Sequence, residues 1–211
     1  ALPYEKEAYS VNKEKVNVGI NVSALLWDSD YAKHNKFGLK VDYQSYIYSL
    51  IERLLENDTY VVHLIPHVIA SNSYDNPEND YRPCTEVKKK YSSNNSVICA
   101  PAFETPIEAK SYIANMDIFI GARMHATIGA VSAGVATIPF AYSKKFKTMF
   151  GNLNYKYVIE ARDLDTQTAI NRTLEYINEY KVLAKASKDA SNETREKLEL
   201  LKSDIASIRK A

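Results

Sequence analysis

Arg123 and His125 stand two residues apart, directly after the apolar run at 118–120 and Gly121. The stretch from Met124 to Ala133 has helical composition, so the pair opens a helix, expected over about 122–133. A helix N-terminus carries the positive end of the dipole and favours negative charge. Cationic side chains there oppose the dipole, unless an anion sits between them and the free backbone N–H groups. An arginine fork stays charged and binds carboxylate or phosphate through paired hydrogen bonds. A histidine can hold phosphate or transfer a proton near neutral pH. Residues two apart diverge in mid-helix, but in the first turn both can reach a ligand beyond the helix end. The segment predicts a site for a phosphorylated or carboxylated small molecule, with a structural ion pair as the alternative for Arg123 and a satisfied core position for His125.

Further candidates follow other apolar runs. Lys145 is a point charge suited to phosphate, although Lys144 and Lys147 beside it also fit a solvated basic face. His67 follows the run at 60–65, Asn21 and Ser23 end the run at 16–22, and Glu104 is an alternative acid or base. His34, in a charged loop, and His63, within an apolar run, are expected to be bystanders. Cys84 and Cys99 lack metal-like or CxxC spacing and are expected to be free thiols in a reducing cytoplasm.

The elements that must carry these residues alternate. Strands are expected at 16–22, 60–65, 96–100, 118–120 and 136–140, with a short sixth at 157–159. Helices are expected at about 40–56, at 80–92 with Pro83 in its first turn, from Thr105-Pro106 to about 115, at 144–151, and after Asp165. Residues 23–38 are expected to be loop. This alternation predicts an α/β fold, a Rossmann-like parallel sheet with helices on both faces and right-handed crossovers. Ligands in such sheets bind beyond the carboxyl ends of the strands, where the candidates above collect. Residues 1–15 are expected to be a linker or covering arm, 16–180 the Rossmann-like domain, and 181–211 a C-terminal helix with Leu198, Leu201, Ile205 and Ile208 in one stripe. That stripe either packs on its own domain or contacts a domain absent from this chain.

The chain has 211 residues, 45% hydrophobic and 25% charged, enough for a sizeable core. Its 27 basic and 26 acidic residues leave a formal net charge of +1. That balance argues against a nucleic-acid or membrane-surface binder, which needs a basic field. No apolar run approaches the roughly 20 residues of a membrane span. No GxGxxG follows the first strand, which disfavours a dinucleotide dehydrogenase.

From about Val16 to Leu153 the sequence resembles the polysaccharide pyruvyl transferases. The block Asp117 to Gly134 carries most of the likeness, followed by Tyr142-Ser143-Lys144-Lys145, similar to the family's Tyr-x-x-Lys. Gly19 to Ser23, Ile65-Pro66-His67, Asn79-Asp80 and the helix start near Glu108 support it. Ala136 departs from the family's frequent Pro. The resemblance implies the C-terminal, donor-binding half of a two-domain fold of the GT-B glycosyltransferase type, its N-terminal half lying outside this chain. It implies a cytoplasmic enzyme of bacterial cell-surface glycan synthesis that moves a pyruvyl group from phosphoenolpyruvate to a saccharide acceptor as a ketal. On that reading Arg123 and His125 are catalytic, and Lys145, Ser143, Asn21, Ser23, His67 and Glu104 join them in donor binding. No metal or cofactor is expected, because cationic side chains can balance both anionic groups of the donor. The alternatives are a glycosyltransferase half-domain that uses a nucleotide sugar, and a non-catalytic sensor or scaffold that keeps the anion pocket.

Overall fold

The computed structural model describes residues 2–69 and 76–208. Six parallel strands form one sheet: β1 Val16–Asn21, β2 Tyr60–Leu64, β3 Val97–Cys99, β4 Ile118–Gly121, β5 Ala136–Ala141 and β6 Ile159–Glu160, in spatial order β3-β2-β1-β4-β5-β6. β1, β4 and β5 are buried almost from end to end, which is why they appear in sequence as continuous apolar runs. Side chains alternate between the faces: Ile118 and Ile120 enter one core, and Phe119 between them enters the other.

The first core lies under α3 (Tyr43–Leu55) and α8 (Thr166–Asn178). Tyr43, Tyr46, Ile47, Leu50, Ile51 and Leu54 recur at helical spacing and make the buried stripe of α3. Asp42 caps that helix by accepting from the Ser45 N–H at 2.7 Å, and Asp165 caps α8 from Thr168 at 2.9 Å. The opposite core lies under α5 (Pro106–Ile113) and α6 (Met124–Ser132). Thr105 caps α5 with Pro106 in the first turn. Gly134, with φ +75°, ends α6: its N–H donates to Val131 O at 2.9 Å and Val135 N–H to Ala130 O at 3.1 Å, the paired bonds of a left-handed helix stop.

Two expectations shift. The stretch 23–38 is not loop throughout, because it contains two single-turn helices, α1 (Ala24–Trp27) and α2 (Asp30–Lys33). Four residues show no periodicity that a pattern could reveal; Ser29, which accepts from the Ala32 N–H at 3.3 Å, was the available signal. The helix expected from residue 122 begins at Met124, with Arg123 as its N-cap.

Residues 2–9 run across α5, where Glu5 N–H donates to Ser111 Oγ and Tyr9 packs edge-on against Tyr112. The remaining helices are α4 (Tyr81–Lys90), α7 (Lys144–Asn152) and α9 (Tyr180–Ile208). α9 buries Leu183, Ser187 and Ala190, while Leu198, Leu201 and Ile205 are exposed. The side chain of Ile208, the last member of the expected stripe, lies outside the described residues. Among the described residues no helix is long and apolar enough to cross a membrane.

Candidate functional site

Strand order reverses between β1 and β4, and the ends of these neighbours, Asn21 and Gly121, are register partners. Connections leaving a parallel sheet at such a point diverge and open a crevice. The crevice floor is built around Asp80, which is fully buried. Asp80 Oδ1 accepts from the Ala24 N–H at 2.9 Å and from Arg123 Nη2 at 2.8 Å, and Arg123 Nε lies 3.2 Å from both carboxylate oxygens. Oδ2 accepts from Asn21 Nδ2 at 3.3 Å, from the His67 N–H at 3.3 Å and from the Val68 N–H at 3.1 Å. A single carboxylate thus draws in the end of β1, the turn after β2 and the cap of α6.

Asn21 is a strut in this assembly. Its Nδ2 also donates to Ile65 O at 3.0 Å, and its Oδ1 accepts from the Arg123 N–H at 2.9 Å, so its amide is used within the fold. Ser23 is fully buried; its N–H donates to the Tyr43 hydroxyl at 3.0 Å, which donates to Asn21 O at 3.2 Å. Burial pushes the Tyr43 phenol far above its usual pKa, which keeps it a donor. Ser23 Oγ is buried without a hydrogen-bond partner among the described residues.

Arg123 is 9% exposed and turned inward. Burial disfavours its charge, but the Asp80 charge and hydrogen bonds outweigh that and hold its pKa above the usual value. Nη2 also donates to Glu78 O at 3.0 Å. The fork that sequence reasoning offered to a ligand is engaged by Asp80, a buried ion pair.

α6 begins beyond this pair with no side-chain cap and no acidic residue in its first turn. The first N–H groups of the helix proper, at Met124, His125 and Ala126, have no partner within it. His125 is exposed in that turn, and together with His67 it lines a cavity of about 460 Å³ walled by Pro106, Lys110, Ile113 and Ile128. Burial lowers the His67 pKa, Asp80 opposes the shift, and His125 and Arg123 add to it. His67 Nδ1 is buried with no hydrogen-bond partner among the described residues. Two imidazoles and an uncapped helix start therefore surround one space, with one histidine biased toward neutrality and the other open to solvent.

The other candidates sit elsewhere. Ser143, the N-cap of α7, lines a separate cavity of about 290 Å³ with Lys144, Lys147 and Arg162. Lys145 is exposed and lines neither cavity. Glu104 is exposed on the lead into α5, its N–H donating to Glu108 Oε2 at 3.0 Å. From the Tyr142–Lys145 run it is Tyr142 that approaches the buried pair, close enough to favour the Arg123 charge. In the sequence Asp80 stood only in the Asn79-Asp80 piece of the family likeness, with no role in the site. It makes no cap bond, and its carboxylate turns into the crevice instead.

A family model described as polysaccharide pyruvyl transferase matches residues 2–144. The chain belongs to that family. The matched span includes His67, Asp80, Arg123 and His125, so this family member has its whole buried assembly inside the family region. No curated protein matches the chain. Among solved structures, the glycosyltransferase WaaG of lipopolysaccharide biosynthesis superposes with a TM-score of 0.52 at 13% identity, over 86% of this chain and 43% of WaaG. A putative UDP-N-acetylglucosamine 2-epimerase from Listeria monocytogenes gives 0.51 at 7% identity, over 85% of this chain and 43% of the epimerase. The C-terminal CMP-Kdo binding domain of WaaA from Acinetobacter baumannii gives 0.51 at 12% identity, over 85% of this chain and 89% of that domain. These likenesses show the fold, a Rossmann-like half of the GT-B type. The chain spans less than half the length of WaaG and of the epimerase.

Proposed function

We propose that this chain is the donor half of an enzyme that transfers a pyruvyl group from phosphoenolpyruvate to a saccharide as a ketal. The observation that carries the reading is the pair His67 and His125 on one cavity beside the uncapped start of α6, inside the family-matched region. Phosphate suits the N–H groups of that turn, which has no side-chain cap, and Lys110 on the cavity wall adds a positive charge. His125 delivers a proton to the methylene carbon, which leaves an oxocarbenium-like centre at C2. A sugar hydroxyl adds there and gives up its proton, which neutral His67 is placed to accept. Phosphate then leaves, and a second hydroxyl of the same sugar closes the ketal with loss of its proton. The cationic groups offset the donor's negative charge, so the proposal calls for no metal or cofactor. The saccharide is expected to enter from an N-terminal half outside this chain, and dependence on phosphoenolpyruvate is expected to place the enzyme in the cytoplasm. Ser143 and Lys145 then serve a neighbouring part of the donor or acceptor.

Calorimetric titration of the chain with phosphoenolpyruvate and with nucleotide sugars tests the reading. Binding of phosphoenolpyruvate that His125→Ala removes is the expected result. Nucleotide-sugar binding with no phosphoenolpyruvate binding would overturn it in favour of a glycosyltransferase half.

A further inference from the structure

We infer that Asp80 is the positioning residue of the site: through one buried carboxylate it holds the turn bearing His67 and the helix start bearing His125 in register across their shared cavity. The geometry is asymmetric in a telling way. Asp80 does not line the cavity and makes no hydrogen bond to either imidazole among the described residues, yet it accepts from the backbone N–H of His67 itself at 3.3 Å and of the next residue at 3.1 Å. On the other side it grips the side chain of Arg123, whose own N–H is fixed by Asn21 and whose residue caps the helix that presents His125. The two histidine-bearing segments come from distant parts of the chain and meet at this one group.

A carboxylate suits the task. Backbone N–H groups, an amide and a guanidinium are all donors, and an ionised carboxylate only accepts, with about four lone-pair directions. Asparagine would turn one acceptor into a donor aimed at other donors. A buried charge of opposite sign also keeps Arg123 inward, so its fork does not compete with the histidines for the ligand. The functional weight of the inference rests on the donor-site reading above, but the geometric part does not.

The test uses the full chain, as wild type, Asp80→Asn and Asp80→Glu, with two readouts. The first is titration of the His67 and His125 imidazoles by NMR. The charged groups bearing on His67 are Asp80 on the lead into α4, and Arg123 and His125 at the start of α6, with Lys110 of α5 on the cavity wall. Asp80→Asn removes the one anion among them, so the His67 titration is expected to move to lower pH, and Asp80→Glu to restore part of the shift. The second readout is the affinity for phosphoenolpyruvate by calorimetry, normalised to folded protein. A loss of affinity of about tenfold or more is expected from the misplaced pair. If Asp80→Asn does not fold, Asp80→Asn with Arg123→Gln removes both buried charges, and its affinity is read the same way. Unchanged affinity per folded molecule would overturn the inference, because a carboxylate that only stabilises the fold predicts that. If wild type binds no phosphoenolpyruvate, the donor reading fails, and the backbone amide shifts of His67 and His125 in Asp80→Asn decide the geometric role, unchanged shifts at His125 overturning it.

Discussion

Acid should destabilise this fold through a histidine that has no part in the site. His63 lies in the middle of β2 and is 2% exposed. Its Nδ1 pairs with the Tyr112 hydroxyl at 2.8 Å and its Nε2 with Asn17 Oδ1 at 3.0 Å. Burial lowers its pKa from 6.5 to about 4, with Asp117 opposing the shift. A lowered folded-state value means that the unfolded chain binds the proton more tightly. The contribution is therefore full above the unfolded pKa of 6.5 and declines as pH falls toward 4. At about 1.4 kcal/mol per pKa unit, the full difference is about 3 kcal/mol, of which about 2 is lost by pH 5. Other groups titrate over the same range, so the informative quantity is a difference. Urea unfolding of wild type and His63→Gln between pH 7 and pH 4.5 should show the wild type losing about 2 kcal/mol more than the variant. A gap between the two proteins that stays constant with pH would refute the assignment of the loss to His63.

Three further outcomes follow from the site. Arg123→Ala leaves the Asp80 carboxylate buried without its cation and should cost about 3–5 kcal/mol, read as a lower thermal midpoint; an unchanged midpoint would mean that the pair is not held as described. His125→Ala, at an exposed position, should keep stability within about 0.5 kcal/mol while abolishing phosphoenolpyruvate binding in calorimetry, and retained binding would remove His125 from the site. Gly121→Ala would place a Cβ 2.6 Å from Phe119 Cε1 and 2.9 Å from Thr127 Cγ2, and should destabilise by about 1–3 kcal/mol in chemical denaturation. Gly151→Ala, whose Cβ meets nothing within 4 Å, is the control and should not destabilise.

The sheet was legible because its strands are buried on both faces and so stand out as unbroken apolar runs between capped helices. Asp42, Thr105 and Asp165 are capping residues in the structure, and Gly134 adopts a positive φ directly after α6. The single-turn helices α1 and α2 escaped because four residues cannot display a period. Where the candidate residues sit in the fold was legible, and which way their side chains turn was not. Arg123 and His125 lie at the carboxyl edge as their spacing implied, but sequence does not reveal which way a guanidinium turns. That direction depends on Asp80, 43 residues earlier, and nothing local to either residue announces the pairing. Lys145 and Ser143 follow the correct strand, yet the edge is wide enough for β5 to open onto a different cavity from that of β2 and β4.

On the proposed function, the buried pair also explains why the ligand-facing chemistry would fall to histidines. At the point where strand order reverses, the crevice between β1 and β4 would expose the ends of both strands to solvent. Asn21, Asp80 and Arg123 fill it with groups whose hydrogen bonds are largely satisfied by one another. Burying an unpaired charge there would cost several kcal/mol, so the arginine and the carboxylate depend on each other. What lies above the neutral pair is a helix start with no side-chain cap and no acidic residue in its first turn, the positive end of the helix dipole. An anion bound there meets an electrostatic field that is already organised, needing no arginine to reorient as it arrives. The groups left to move protons are then the two imidazoles, one pushed toward neutrality by burial and one open to solvent. If the proposed function holds, His67→Gln should alter the pH dependence of phosphoenolpyruvate binding in calorimetry, and an unchanged dependence would remove His67 from the site.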